Sequence, residues 1–349
     1  MPLKYAAEFL RELGLAMKAT LQHHGVPVLT GQAIASHRVA GGWETEVQLP
    51  EGCVRLRSEA LVLATGGVQQ DDCIDGVTVG TVRLQDFRER VILSDQVLGP
   101  DGLSVLRAML EGQTKPSVAI VGGSHSALTA AWRVLNELPE VPFGPHSVAV
   151  LHRRPLRPFY LTPEDARADG YVDFSEQDVC PVSGRLFRLA GFRFRARELL
   201  RGALGLKDAA PDHRLKLIQL TPEKAGEAEL RLRKASIIVA ALGYRPRALP
   251  LLNQDGSRIS LGSERGPGAS LVNESCEVLD DQRRPVPGVY GIGLATGFRP
   301  TGALGGEPSF SGQTNGLWLW QNGVGERIVN ALLGGAEGTS RPIGEAASR

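Results

Sequence analysis

The sequence predicts an α/β fold built on buried strands, and three observations carry that reading. The runs Ala60–Ala64, Ser117–Val121 and Ile237–Leu242 are apolar without alternation, which marks strands covered on both faces. Each stops abruptly at glycine: Gly66, Gly122 and Gly243. Glycine totals 42 of 349 residues and clusters in short loops after such runs, which points to strand-to-helix turns rather than disorder.

From the N-terminus, Ala6, Phe9, Leu10, Leu13, Met17 and Leu21 recur at three- and four-residue spacing, so the chain opens on a helix that Gly25 stops. A short strand is expected over Val26–Leu29. Alternation over Trp43–Leu49 and Cys53–Arg57 predicts a hairpin through Pro50-Glu51-Gly52, and Ala60–Ala64 follows as a buried strand. A second block opens with the strand Ser117–Val121 and passes through Gly122–Ala127. It continues as a helix through Leu128, Ala131, Trp132, Leu135 and Leu138. The strand Ser147–Leu151 leads to His152-Arg153-Arg154. Residues 155–213 show no clear periodicity before a helix near Arg195–Leu204. Arg214–Leu220, Glu229–Arg233 and the buried strand Ile237–Leu242 come next. The third block holds the strand Val289–Ile292, a glycine-rich loop to Gly306, a helix over Trp318–Leu333 and a loose tail.

Composition closes off several functions. With 42% hydrophobic and 22% charged residues, the chain can bury a substantial core. Lys plus Arg number 39 against 38 for Asp plus Glu, so no global field exists to hold a nucleic acid. Cys53, Cys73, Cys180 and Cys276 lie far apart, with no CxxC pair and no Cys/His cluster at metal spacing. Neither a zinc site, nor a disulfide framework, nor a redox dithiol is expected, and reduced thiols suit the cytoplasm. No apolar run approaches the roughly 20 residues that span a bilayer. Glu8, Arg11, Glu12 and Lys18 interrupt the first apolar pattern as no signal peptide would allow.

The sharpest motif is Gly122-Gly123-Ser124-His125-Ser126-Ala127, set between strand and helix. Dinucleotide-binding folds need a tight turn there, close approach of backbone to pyrophosphate, and a helix N-terminus aimed at the phosphates. Ser124 occupies the second glycine position of GxGxxA. Its β-carbon narrows the approach, while its hydroxyl and that of Ser126 could donate to phosphate. The alternative is a glycine turn serving packing alone. After the next strand the chain offers Arg153 and Arg154 rather than a carboxylate, which favours NADP(H) over NAD(H), since guanidinium suits a 2′-phosphate. A solvated basic loop is the alternative. His125 reads either as a nucleotide contact or as a helix-entry residue with local hydrogen bonds. Arg185, Arg188, Arg193, Arg195, Arg197 and Arg201, scattered among Phe187, Phe192 and Phe194, read as a surface helix or as a site for an anionic substrate or cofactor phosphate.

Taken in order, Ala64-Thr65-Gly66, the Gly122–Ala127 turn, Arg153-Arg154, Ala241-Leu242-Gly243-Tyr244-Arg245-Pro246 and Val289-Tyr290-Gly291-Ile292-Gly293 resemble the two-dinucleotide-binding-domain flavoproteins. The flavin monooxygenase branch, with its N-hydroxylating and Baeyer–Villiger-type enzymes, is the nearest in pattern. The resemblance implies a Rossmann-like NAD(P)-binding domain, residues 99–269, inserted into an incomplete FAD-binding-type α/β domain, residues 1–98 and 270–335, with 336–349 a flexible tail. It implies an NADPH-dependent monooxygenase in which hydride transfer to FAD leads to oxygen activation. Thr65, Gly66, Gly243 and Tyr244 would line the interdomain cleft, and Gly293 and Leu294 would lie beside the flavin. A small-molecule substrate is expected, selected by residues 155–213 and 294–316.

Two departures stand out. The family's N-terminal GxGxxG turn for the FAD pyrophosphate is absent, and Leu294 replaces the aspartate of its late Gly-Asp pair. Val26–Leu29, Ala60–Ala64 and Val289–Ile292 would be strands three to five of an FAD sheet, leaving a bare central edge. An upstream βαβ segment, a homo-oligomer or partner chain supplying strands, or a rearranged sheet would resolve this, and Met1-Pro2-Leu3 leading straight into helix favours the first. The catalytic residues are unassigned. Other readings are an inactive NADP(H)-binding sensor or subunit, and a flavin-independent NADPH reductase with Tyr160, Tyr171 or His125 as proton donor.

Overall fold

The computed structural model describes residues 3–265, 269–293, 296–300, 302–312 and 323–334. Helix α1 (Leu3–His23) precedes an antiparallel meander of β1 (Gln32–Val39), β2 (Gly42–Leu49) and β3 (Gly52–Ser58). The hairpin of β2 and β3 matches the expected one. Val26–Leu29 forms no strand: Val26 and Leu29 are both 44% exposed, the Val26 N–H bonds back to the Leu21 carbonyl of α1 at 2.9 Å, and no strand pairs with the segment among the described residues. A lone strand leaves its backbone groups unpaired. β1 forms instead, although its sequence is polar. Its buried residue is Ser36, whose hydroxyl meets that of Thr45 at 3.0 Å.

β4 (Leu61–Leu63) is followed by β5 (Gly67–Val68), the ribbon β6 (Thr78–Val79) and β7 (Val82–Arg83), and then β8 (Val91–Leu93) with α2 (Ser94–Leu98) and α3 (Gly102–Leu110). Next come β9 (Val118–Val121), α4 (His125–Glu137) and β10 (Val148–His152). The excursion over 155–213 contains α5 (Pro163–Ala168) and α6 (Phe194–Ala203), and it returns through β11 (Leu215–Gln219), α7 (Ala225–Lys234) and β12 (Ile237–Ala240). Glu229–Arg233 lies inside α7, because Ala228 and Leu232, one turn apart, are the buried pair.

These strands make a parallel sheet of order β11-β10-β9-β12-β8. β9, β10 and β12 are buried throughout, as uninterrupted apolar strands require. One core, including Leu106, Leu128, Val134 and Leu200, covers one face; another, including Ile74, Leu84, Ala228 and Leu232, covers the other. The order reverses at β9, which has β10 on one side and β12 on the other, so a topological switch point opens at their carboxyl ends. β8 joins this sheet although it lies ahead of residue 99.

The rest of the chain is mixed α/β. β13 (Arg245–Pro246) pairs with β5, and β14 (Leu251–Leu252) pairs in parallel with β1. β15 (Glu277–Leu279) runs antiparallel to β16 (Pro285–Gly291), which is parallel to β4. α8 (Val324–Gly334) lies within the helix expected over Trp318–Leu333; residues 313–322 and the tail 336–349 lie outside the described residues. No described helix is long and apolar enough to cross a membrane. Trp43, 1% exposed, joins the meander to β16 by donating its indole N–H to the Pro287 carbonyl at 3.2 Å. Trp43→Ala should therefore cost about 3–5 kcal/mol, read as a lowered urea midpoint with an unchanged slope.

Candidate functional site

The switch point is shaped by what glycine permits. Gly122, at φ +143°, closes β9, and a β-carbon there would collide with the carbonyl oxygen of Ala241 at the end of β12. A β-carbon on Gly123 would lie 3.0 Å from the Cβ of His152, at the end of β10. Three strand ends thus converge on two glycines. Ser124 stands at the N-cap of α4, yet its side chain makes no capping hydrogen bond. The N–H groups of Ala127 and Leu128 bond to its carbonyl, whereas those of residues 123–126 find no acceptor among the described residues. Free N–H groups at the positive end of a 13-residue helix make an anion cradle.

The Gly243 turn lies beside it. The Gly243 carbonyl accepts from Gln69 Nε2 at 3.0 Å, and Gln69 Oε1 accepts from the Asp95 N–H at 2.9 Å and the Ser94 hydroxyl at 3.2 Å. Tyr244 donates its hydroxyl to Asp95 Oδ1 at 2.9 Å. Burial and the Asp95 carboxylate push its pKa up to about 12, so it stays protonated. Thr65 donates its hydroxyl to the Arg247 carbonyl, and the Gly66 carbonyl accepts from the Arg247 N–H at 2.9 Å. The Thr65-Gly66 turn is thereby fixed beyond Gly243-Tyr244.

Past β10, Arg153 and Arg154 are exposed. The buried ring of His152 bonds through Nδ1 to the Arg154 carbonyl at 2.7 Å, which shapes the turn that presents both arginines. Arg154 reaches Ser311 Oγ at 3.0 Å, while the Arg153 side chain has no polar partner among the described residues. His125 lies against Phe192, ring centroids 5.0 Å apart, and its Nε2 accepts the Arg193 N–H at 3.2 Å. The histidine does stand at helix entry, but its hydrogen bond is long-range, to a backbone 68 residues away, rather than local. Loss of water around the ring and the charge of Arg193 lower its pKa to about 4, consistent with a ring nitrogen that acts as acceptor.

Tyr160 and Tyr171 are not placed to donate protons to a nicotinamide. Both are buried in a small core with Phe187 inside the 155–213 excursion. Tyr160 donates to Asp169 Oδ2 at 2.7 Å, and Asp169 is clamped by Arg201 at 2.5 and 2.7 Å. Burial raises both phenols. Sequence reasoning missed Gln69, Asp95, Asp178 and Glu307. Each is a lone polar residue in a loop or short helix, and only long-range contact gives it a role.

On the other side, β4 and β16 run parallel with Leu63 opposite Gly291, and the Ile292 N–H bonds to the Leu63 carbonyl at 3.0 Å. Thr65-Gly66 and Gly293, at φ +115°, therefore leave adjacent strand ends. Leu294 lies outside the described residues. The geometry is that of a doubly wound α/β protein: one strand–glycine–helix turn at a switch point, with a second pair of parallel strand ends at Gly66 and Gly293.

No protein-family model matches the sequence. The chain is 30% identical over 334 residues to the CMP-5′-(3-aminopropyl)phosphonate hydroxylase of Streptomyces rubellomurinus, covering 90% of this chain and 70% of that protein. It is also similar to two solved structures. The ornithine hydroxylase of Pseudomonas aeruginosa is 14% identical over 94% of this chain and 76% of that one, at TM-score 0.46. The ornithine N-hydroxylase of Kutzneria sp. 744 is 16% identical over 88% and 72%, at TM-score 0.44. On the strength of the sequence match, the chain belongs to the family of that hydroxylase. The free N–H groups of the Gly122 turn suit a pyrophosphate, and no second strand–glycine–helix turn lies among the described residues.

Two outcomes follow from this geometry. Gly122→Ala, strained by φ and by the Ala241 carbonyl, should abolish measurable NADP+ binding in calorimetry. His125 has a folded pKa below its unfolded one, so the unfolded chain takes up the proton first. The stability it contributes is full above about pH 6.5 and is lost as pH falls toward 4; thermal midpoints of wild type and His125→Gln should converge over that range.

Proposed function

We propose that this flavoprotein hydroxylates the nitrogen of a primary amine on a small molecule that also carries a phosphoryl or phosphonyl group. The observation that carries the reading is the free-N–H cradle at Gly122–Ser126, in a chain related to a hydroxylase of an aminopropylphosphonate nucleotide. In this reading Gly122, Gly123, Ser124, His125, Ser126 and Ala127 hold the NADP(H) pyrophosphate, and Arg153 and Arg154 take the 2′-phosphate. Thr65, Gly66, Gly243, Tyr244, Gly293 and Leu294 border the flavin. When bound, FAD supplies the redox chemistry, accepting hydride and activating oxygen. The chain's own share is to hold and orient: N–H groups fix the phosphates, and the Tyr244–Asp95 and Gln69–Gly243 bonds fix the Gly243 turn against the start of α2.

The same proposal keeps residues 99–269 as the NAD(P)H-binding unit and places the protein in the cytoplasm, which the four free cysteines support. It includes a second copy, or a chain supplying strands, against α1, where Phe9, Leu13, Met17 and Leu21 are exposed. The test is NADPH consumption by the purified protein with added FAD, oxygen and 3-aminopropylphosphonate, with the hydroxylated amine sought by mass spectrometry. Replacing both Arg153 and Arg154 by alanine should raise KM for NADPH by about tenfold or more and leave KM for NADH unchanged. Equal use of both nucleotides by the wild type would remove the arginines from their role.

A further inference from the structure

The start of α6 holds an aromatic ring that the fold does not use. Phe194, the first residue of α6, is 78% exposed and sits at φ +52°. A bulky residue rarely adopts that left-handed conformation, and it persists only where the surroundings over-determine it. Here the flanks do so. On one side the Arg193 N–H bonds to His125 Nε2 at 3.2 Å, and the Arg193 guanidinium lies 4.2 Å over the Phe159 ring. On the other, the Arg195 guanidinium lies 4.0 Å over Trp132, Ala196 is buried, and Arg197 Nε donates to the Phe159 carbonyl at 2.8 Å. The chain thus keeps a strained residue whose ring gains little from the core.

The aromatic rings nearby are engaged. Phe192 lies against His125, Phe187 against Tyr171, and Phe159 and Trp132 each carry an arginine. Phe194 has no ring or cation contact among the described residues. Its place is specific. Consecutive Cα atoms are about 3.8 Å apart, so Phe194 begins one residue from an N–H that touches His125, the residue that opens α4 within the Gly122–Ser126 cradle. α6 packs on α4 and β11, and β11 pairs with β10, which leads into Arg153-Arg154. Phe194 therefore stands on the β10 side of the switch point, whereas Gly243-Tyr244 follow β12 on the other side.

We propose that Phe194 is the platform on which the adenine of NADP(H) stacks. A purine has a broad π-face, and an aromatic ring held out in water before the ligand arrives meets that face with little left to order. The β10 side is also where the reading above puts the 2′-phosphate of the same adenosine. This deepens that reading and rests on it for the placement of NADP(H).

NADP+, adenosine 2′,5′-diphosphate and nicotinamide mononucleotide are titrated separately into the full chain by calorimetry, for wild type, Phe194→Ala, Phe194→Gly and Phe194→Trp. The expected result is a loss of about tenfold in affinity for NADP+ and adenosine 2′,5′-diphosphate in the alanine and glycine variants, with Phe194→Trp within about twofold of wild type. Nicotinamide mononucleotide should behave alike in all four proteins. The thermal midpoint of Phe194→Gly should equal or exceed that of wild type, because glycine accepts φ +52° without strain and the lost ring is exposed. Wild-type affinity for both adenine ligands in Phe194→Ala overturns the proposal and leaves the NADP(H) reading standing. An equal loss for nicotinamide mononucleotide, or a lowered midpoint in Phe194→Gly, makes the residue structural and overturns the proposal too. A wild type that binds neither adenine ligand overturns the placement of NADP(H) itself, and the proposal with it.

Discussion

A buried carboxylate fixes how the two halves of this protein meet. Glu307, 3% exposed, must have its lone pairs filled, and it fills them with the N–H groups of Leu189 and Ala190. Around it the Ser309 hydroxyl meets Asp178, the Ser309 N–H meets the Gln177 carbonyl, and Arg188 meets the Leu304 carbonyl. The apolar cores on either side are separate clusters. Most of the registration between them is therefore polar and directional, so it sets position more sharply than hydrophobic contact would. Removing one member leaves its partners buried and unpaired, which is why such a network behaves as a unit.

That registration matters because the dinucleotide turn and the 302–311 loop contact the same arm of chain. Arg193 touches His125 through its N–H, and five residues earlier Arg188 touches the loop. On the opposite flank, Tyr244 bonds to Asp95, and Gln69 ties Gly243 to the start of α2. The cradle is held from both sides by hydrogen bonds whose members are 25 to 174 residues apart in sequence. Its own geometry needs only local chemistry: a glycine that a β-carbon would drive into Ala241, and a helix whose first N–H groups are unused.

This division explains what was legible in the sequence. The parallel sheet could be read because β9, β10 and β12 bury both faces and so show no alternation, and the Gly122 turn because steric demand leaves a glycine as its trace. β1 could not be read, since its buried position is Ser36, bonded to Thr45. Glu229–Arg233 fits a strand or a helix by hydropathy alone, and only Ala228 beside Leu232 settles it. Val26–Leu29 shows the converse, an apolar run that makes no strand because pairing, not propensity, decides a strand. Glu307, Asp178 and Gln69 had no local signal at all, since a single polar residue acquires a role only from its distant partner.

The two ligand-facing ends differ in how far their sequence and their surroundings agree. β9 carries a run suited to burial and is buried throughout. β4 carries the same kind of run, yet Val62 is 46% exposed and β4 pairs only with β16 among the described residues. Helix α1 likewise turns Phe9, Leu13 and Met17 to the outside. An apolar strand with one open edge is both a weak platform and a template for another strand. The Thr65-Gly66 turn grows directly out of β4, so a strand added at that edge would also stiffen the turn. The Gly122 turn differs in this respect, because β9 beneath it is paired on both sides, with β10 and with β12.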